Sequence, residues 1–373
     1  MDPEEPRQRG LFRLGGIPVS VPWSGVIGVL LIAWLWSPQF ALAGGSTTEQ
    51  VVLSGAFAVL LYLSILVHEL AHAWSARAFG FQVTGIVLWV LGGFTLYERQ
   101  RQPSPGREAA VAASGPIATA LIAVVTGVVA ATVAGGWDPR VVVLLEALAW
   151  GNAVMAVYNA LPGLPLDGGA VLKAVVWGAT RSEYRGTVVA AWSGRVLAVV
   201  LVAAPLALFW GSGASAGIGL LLAGAIFAAI LWTGATQALR RARVEELLPS
   251  LTAQALARRA VPVDKDLPLS EALRRLGGAG AGGLVVVDHD GQPLGIAHEA
   301  AVSATPLQRR PWVPVGSVSR RIDPRAVLAQ DLVGDALLRA MQDHPAPEYL
   351  VVDGDGRVVG VLAAQDVEAA LSA

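Results

Sequence analysis

Two histidines and a glutamate stand within five positions of one another in LVHELAHAW, residues 66–74, inside a long apolar run. Withdrawing a carboxylate and two imidazoles from water is costly unless something compensates them. Their spacing says what could. On a helix, His68 and His72 at i and i+4 share one face, so both imidazoles can reach a single zinc ion at about 2.0–2.1 Å. Glu69 lies beside that face, where it can act as general base on a water activated there. The flanking SILV and AWSA contain neither Pro nor Gly, so the helix runs through the motif. Buried histidines satisfied by hydrogen bonds are the plain alternative, and a membrane-length setting weighs against them. The chain has no cysteine, which removes thiolate ligands, disulfides and cysteine nucleophiles.

A zinc site needs a third protein ligand and an open position. His289, His298 and His344 fall in a polar C-terminal region and read as surface residues. Glu146 is far from the matching end of its apolar run. Asp167 in NALPGLPLDGGAV (159–171) is the better candidate. It follows a Pro-Gly-Pro break that must end a helix, and the two glycines after it allow close backbone approach. Depth agrees. His68 lies about 17 residues into its apolar run and Asn159 about 18 into another of the same direction, so at about 1.5 Å per residue both are about 25–27 Å from the same membrane face.

These residues need a scaffold, and composition says which. The 373 residues are 54% hydrophobic and 15% charged, with a mean hydropathy of +0.57. The apolar excess lies in the first part of the chain, in runs that meet the span criterion of about 20 residues. Six spans are expected, at about 23–43, 51–79, 109–134, 141–161, 192–211 and 214–236. Lys and Arg gather before the first span, after the second and fourth, and at the exit from the sixth. The positive-inside bias then puts both termini in the cytosol. Arg195, near the start of the fifth expected span, reads as snorkelling to the interface. Residues 82–97, QVTGIVLWVLGGFTLY, are apolar and β-branched but too short and too Gly-broken to span. They read as a membrane-associated hairpin with an edge that an unwound substrate could join. The opening segment, acidic at its front, reads as a cytosolic tail. The net charge of −1 gives no support to a nucleic-acid partner.

Past residue 243 the chain turns polar and repeats itself. GLVVVDHDGQPLGI (283–296) matches YLVVDGDGRVVGV (349–361), and PLSEALRRL (268–276) matches LVGDALLRA (332–340). Each unit reads as helix, strand, turn, strand, helix, and such a duplication implies two modules packed together. They resemble CBS modules. That resemblance implies a regulatory domain over 244–373 with repeats at about 247–305 and 315–373, association into a homodimer, and a site for an adenosine nucleotide. The ribose-binding stretch departs from the pattern. Repeat one has GIAHEAA (295–301), without the acid, and repeat two has GVLAAQD (360–366), where Asp366 is kept. A module that only pairs and binds no ligand fits these residues equally.

HExxH in an apolar helix, followed by NALPGLPLDGG, together with LGGF (91–94) and SGPIA (114–118), resembles the site-2 protease family of intramembrane zinc metalloproteases, in its CBS-bearing bacterial branch. The resemblance implies one zinc held by His68, His72 and Asp167, with Glu69 as the catalytic base. Asn152 and Asn159 would lie near the oxyanion or the substrate backbone. It also implies a multi-pass protein of the bacterial cell membrane that cuts membrane-spanning substrates of anti-sigma or pro-sigma type in regulated intramembrane proteolysis. The expected fold is thus a polytopic α-helical membrane domain over 1–243 with a short β hairpin, joined to an α/β tandem CBS domain. A CBS-gated transporter would need polar residues lining several spans, whereas here they collect in two metal-type motifs. A catalytically dead scaffold would not need Glu69.

Overall fold

The computed structural model describes residues 11–42, 45–90, 92–98, 104–212 and 217–372. The chain divides into two compact units, Met1–Ala242 and Arg243–Ala373.

The first unit begins with strands β1 (Phe12–Leu14) and β2 (Ile17–Ser20), followed by helices α1 (Trp23–Leu42) and α2 (Thr47–Ala78). Strands β3 (Val83–Trp89) and β4 (Gly92–Tyr97) form the expected hairpin. Then come α3 (Pro105–Val133), α4 (Pro139–Ala160), α5 (Asp167–Thr180), α6 (Glu183–Ser212) and α7 (Gly217–Leu247). Among the described residues six helices are long and apolar enough to cross a membrane: α1 to α4, α6 and α7. Their starts are chemically marked. Ser46 and Glu49 form a capping box at α2, and Pro105 and Pro139 open α3 and α4 where a missing N–H costs nothing.

Three features differ from the sequence expectation. The N-terminal segment is not simply a tail, because β1 and β2 extend the hairpin into a four-stranded sheet of order β1-β2-β3-β4. Strand β2 runs parallel to β3, with Val19 opposite Ile86, a pairing between distant segments that local patterning does not reveal. Ile17, Val19 and Ile86 are fully buried in a cluster with Ile65, Leu66, Leu70 and Ala73 of α2. The sheet therefore packs directly on the helix that carries the HExxH motif. The second difference is α5, a 14-residue helix that is too short to cross a bilayer. Its position is set by Lys173, which pairs with Glu108 of α3 at 3.1 Å and Glu183 of α6 at 2.8 Å. Helix α6 also starts earlier than expected, so Arg195 lies three turns inside it.

The second unit contains α8 (Ala253–Leu256), β5 (Arg258–Asp264), α9 (Leu269–Ala279), β6 (Gly283–Val287), β7 (Pro293–Ala297), α10 (Glu299–Ala304), β8 (Ser319–Arg321), β9 (Val327–Ala329), α11 (Asp335–Asp343), β10 (Glu348–Val352), β11 (Val358–Ala363) and α12 (Ala364–Ser372). Seven strands form one sheet of order β8-β7-β6-β5-β11-β10-β9, with the two repeats meeting at β5 and β11. The repeat holds at atomic detail. Asp288 Oδ1 accepts the N–H groups of Asp290 and Gln292, and Asp353 Oδ1 those of Asp355 and Arg357. Gly291 and Gly356 turn each hairpin at φ of +80° and +78°.

Candidate metal centre

Helix α2 brings His68, Glu69 and His72 into the interior, where all three are buried. The break at Leu161–Leu166 ends α4 and returns the chain, so Asp167 opens α5 beside them. Here the two following glycines are required. A Cβ on Gly168 would lie 2.6 Å from Leu161 O, and one on Gly169 would lie 2.5 Å from Gly163 O. The sequence-predicted trio converges. His68 Nε2 is 3.1 Å from His72 Nε2 and 3.1 Å from Asp167 Oδ2, and His72 Nε2 is 3.3 Å from the same oxygen.

The outer imidazole nitrogens fix what these inner atoms are. His72 Nδ1 is 2.8 Å from Val111 O, and a carbonyl can only accept, so Nδ1 carries the proton. The Thr119 hydroxyl donates to Gly115 O at 2.8 Å and so accepts from His68 Nδ1, also at 2.8 Å. In the neutral imidazoles, the form that binds a metal, both Nε2 atoms are then bare lone pairs, and they face a carboxylate oxygen. Three acceptors that close repel one another unless a cation lies among them. Tetrahedral ligands at about 2.0–2.1 Å from zinc are about 3.3–3.4 Å apart, close to the spacing found. Gly115 leaves the room: a Cβ there would lie 2.7 Å from His68 Nε2 and closer still to that of His72. The three residues form a group that could hold a metal ion.

Glu69 is set beside this triangle by β4. Thr95 Oγ1 donates to its Oε2 at 2.7 Å, and Gly93 gives it space, since a Cβ there would meet Glu69 Cγ at 2.6 Å.

Residues 56–138 and 136–203 match the model of peptidase family M50, and residues 253–303 and 315–373 match that of the CBS domain. A protein of Mycobacterium tuberculosis provisionally named zinc metalloprotease Rip3 is 32% identical over 370 residues, covering 96% of this chain and 91% of that one. The chain belongs to peptidase family M50, the site-2 proteases. A Synechocystis protein provisionally named zinc metalloprotease sll0528 is 26% identical, covering 94% of this chain and 91% of its own. The solved site-2 protease from Methanocaldococcus jannaschii is 24% identical with a TM-score of 0.42, covering 61% of this chain and 94% of that one.

This M50 peptidase is a multi-pass membrane enzyme with a CBS pair. A cavity of about 770 Å³ opens onto its triangle. Apolar walls come from Trp36, Trp150, Met155 and Phe227, and polar groups from Thr95 and Asn159. Of the two expected amides, Asn159 thus lines the cavity. Asn152 is fully buried, donates to Leu148 O one turn back at 2.8 Å, and keeps an Oδ1 without a partner. Thr119, Val111 and Thr95 were not anticipated, and Gly115 was marked only as part of the SGPIA stretch. They act through a hydroxyl, a carbonyl or a missing side chain, which carry no signature in a single sequence. In the CBS unit, Asp366 does not stand open: Arg258 grips its carboxylate with two hydrogen bonds, at 2.6 and 2.8 Å.

Proposed function

We propose that this chain is an intramembrane zinc endopeptidase that binds one zinc ion through His68, His72 and Asp167 and cuts membrane-spanning protein substrates. The observation that carries this reading is the meeting of three lone-pair atoms, two from oriented imidazoles and one from a carboxylate, within 3.3 Å of one another. Zinc held there would supply a Lewis acid for the scissile carbonyl and make water acidic enough to attack near neutral pH. Glu69, aimed by Thr95, takes the proton of the attacking water and passes it to the leaving amine. Asn159 is positioned on the cavity wall to hold substrate backbone.

A helical substrate must unwind before its peptide bonds are accessible. Strand β4 is the outer strand of its sheet and runs past Glu69, so an extended segment can add to its free side. Val87 sits in β3, between two neighbours, so proline there would break the sheet itself rather than test this docking. A photoreactive side chain in place of Phe94, which is 44% exposed on β4, is the informative probe. The distribution of Lys and Arg favours cytosolic termini and a cytosolic CBS unit, which would act as a regulatory and pairing module.

The test compares membrane proteomes of cells carrying the wild-type chain and Glu69→Gln, with zinc measured on both purified proteins. The expected result is equal zinc and the accumulation of one or a few uncut membrane proteins in the variant. Equal zinc with identical proteomes, in cells where wild type is expressed, would overturn the reading.

A further inference from the structure

Arg195 is a cation in a membrane-spanning helix with no anion paired to it among the described residues. Its guanidinium lies over two indoles, 4.8 Å from the ring centre of Trp192 on its own helix and 5.0 Å from that of Trp232 on α7. Among the described residues it makes one hydrogen bond, from Nη2 to Thr236 Oγ1 at 3.2 Å, and Nε is buried without a partner. Thr236 is itself engaged, donating to Trp232 O at 2.7 Å. Two tryptophan faces supply attraction for the cation but no neutralising charge. A guanidinium offers five N–H donors in a planar fork suited to phosphate, and most of that capacity is unused here.

The location says what can use it. Residues 196–210 and 218–232 contain no polar side chain, and at about 1.5 Å per residue each run is about 22 Å long. Arg195 and Trp232 stand at the same end of these two runs. Beyond them come Thr233, Thr236, Gln237 and Arg240 on α7, and Ser193, Arg185 and Glu183 on α6. Trp192 and Trp232 are 55% and 47% exposed, on the outer surface of the bundle. Tryptophan at the end of an apolar run marks the level of lipid headgroups. At that level phosphate is the abundant anion, and a lipid places it there without desolvating a free ion.

We infer that Arg195, flanked by Trp192 and Trp232, is a binding site for the phosphate of an anionic phospholipid, with the lipid's chains lying along the apolar faces of α6 and α7. The indoles flank the fork, and the phosphate oxygens take the Nη donors that Thr236 leaves free. A zwitterionic lipid carries its own ammonium beside the phosphate and so competes poorly for the same cation.

The test is native mass spectrometry of the full-length protein in detergent, titrated separately with phosphatidylglycerol and phosphatidylcholine. Wild type is expected to prefer phosphatidylglycerol by about tenfold or more, the loss typical of removing a charged hydrogen-bonding partner. Arg195→Gln should erase the preference, and Arg195→Lys should keep part of it. Inorganic phosphate should not displace the lipid. Equal binding of the two lipids, an undiminished preference in Arg195→Gln, or displacement by inorganic phosphate would each overturn the assignment. Should Arg195→Gln fail to fold, photoactivatable phosphatidylglycerol on the wild-type protein decides the matter: label within 189–199 and 228–239 supports the site, and label confined to other segments refutes it.

Discussion

The hydroxyl of Thr119 stands between Gly115 O and His68 Nδ1, 2.8 Å from each. It spends its proton on the carbonyl and so compels the imidazole to carry its own proton on Nδ1. In the neutral ring the nitrogen that faces Asp167 is thereby left bare. Thr119→Val preserves shape and removes the acceptor, leaving a buried N–H unsatisfied. Zinc affinity is expected to fall by about 10–100-fold, the usual cost of losing such a supporting partner, with Thr119→Ser restoring most of it. Chelator competition on the purified protein measures this directly.

Glycine 115 offers a sharper contrast. Gly115→Ala puts a methyl 2.7 Å from His68 Nε2, in the space between the imidazoles, and zinc is expected to be lost from the protein as purified. Gly55→Ala, on the same helix as the HExxH motif, meets nothing within 4 Å. It should keep full zinc and stabilise its helix by about 0.5–1 kcal/mol. Metal analysis and thermal unfolding of the two variants separate crowding of the site from general sensitivity of the bundle.

Thr95 bears on the base rather than the metal. Thr95→Val releases the Glu69 carboxylate from its 2.7 Å bond while leaving the triangle untouched. Zinc content should be unchanged. The turnover number should drop by about tenfold or more, as a base displaced from its line of proton transfer loses part of the 10²–10⁴-fold it contributes. A parallel loss of zinc would mean that Thr95 serves the fold of the site instead.

The Arg258–Asp366 pair predicts the behaviour of the CBS unit. With its carboxylate held at 2.6 and 2.8 Å by one guanidinium, Asp366 is committed. The wild-type protein is expected to bind AMP or ATP weakly, with dissociation constants of about a millimolar. Arg258→Ala frees the acid and should tighten binding measurably in calorimetry. Tight binding by wild type, weakened in Arg258→Ala, would instead make the arginine part of the ligand site.

Much of this was readable from residues alone, for identifiable reasons. His68, Glu69 and His72 declared themselves because helical periodicity carries them to one face, and Asp167 because the prolines around it dictate where a helix stops. The six apolar helices followed from length and composition. The doubled LVVVD pattern announced the two CBS modules and even their shared turn. What stayed hidden depends on contacts between distant segments. Val19 meets Ile86 across the sheet, and no local pattern in residues 11–20 says so. Helix α5 was obscured because its length and Lys173 fit neither a span nor a loop. Thr119 and the role of Gly115 within SGPIA were hidden because a threonine and a glycine in a small-residue helix have no chemistry of their own until His68 is set against them.

The segment that delivers Asp167 is held from behind by parts of the chain that come later. Leu164 N–H donates to Ala190 O at 3.0 Å, Ser193 Oγ donates to Pro162 O, and Gly163 lies against Gly194. Gly234 of α7 leaves just enough space for Pro165. During synthesis on a ribosome, then, His68, Glu69 and His72 enter the bilayer long before their third partner can be fixed. The contacts that fix the aspartate can form only once the last two membrane helices have been made and have closed behind it.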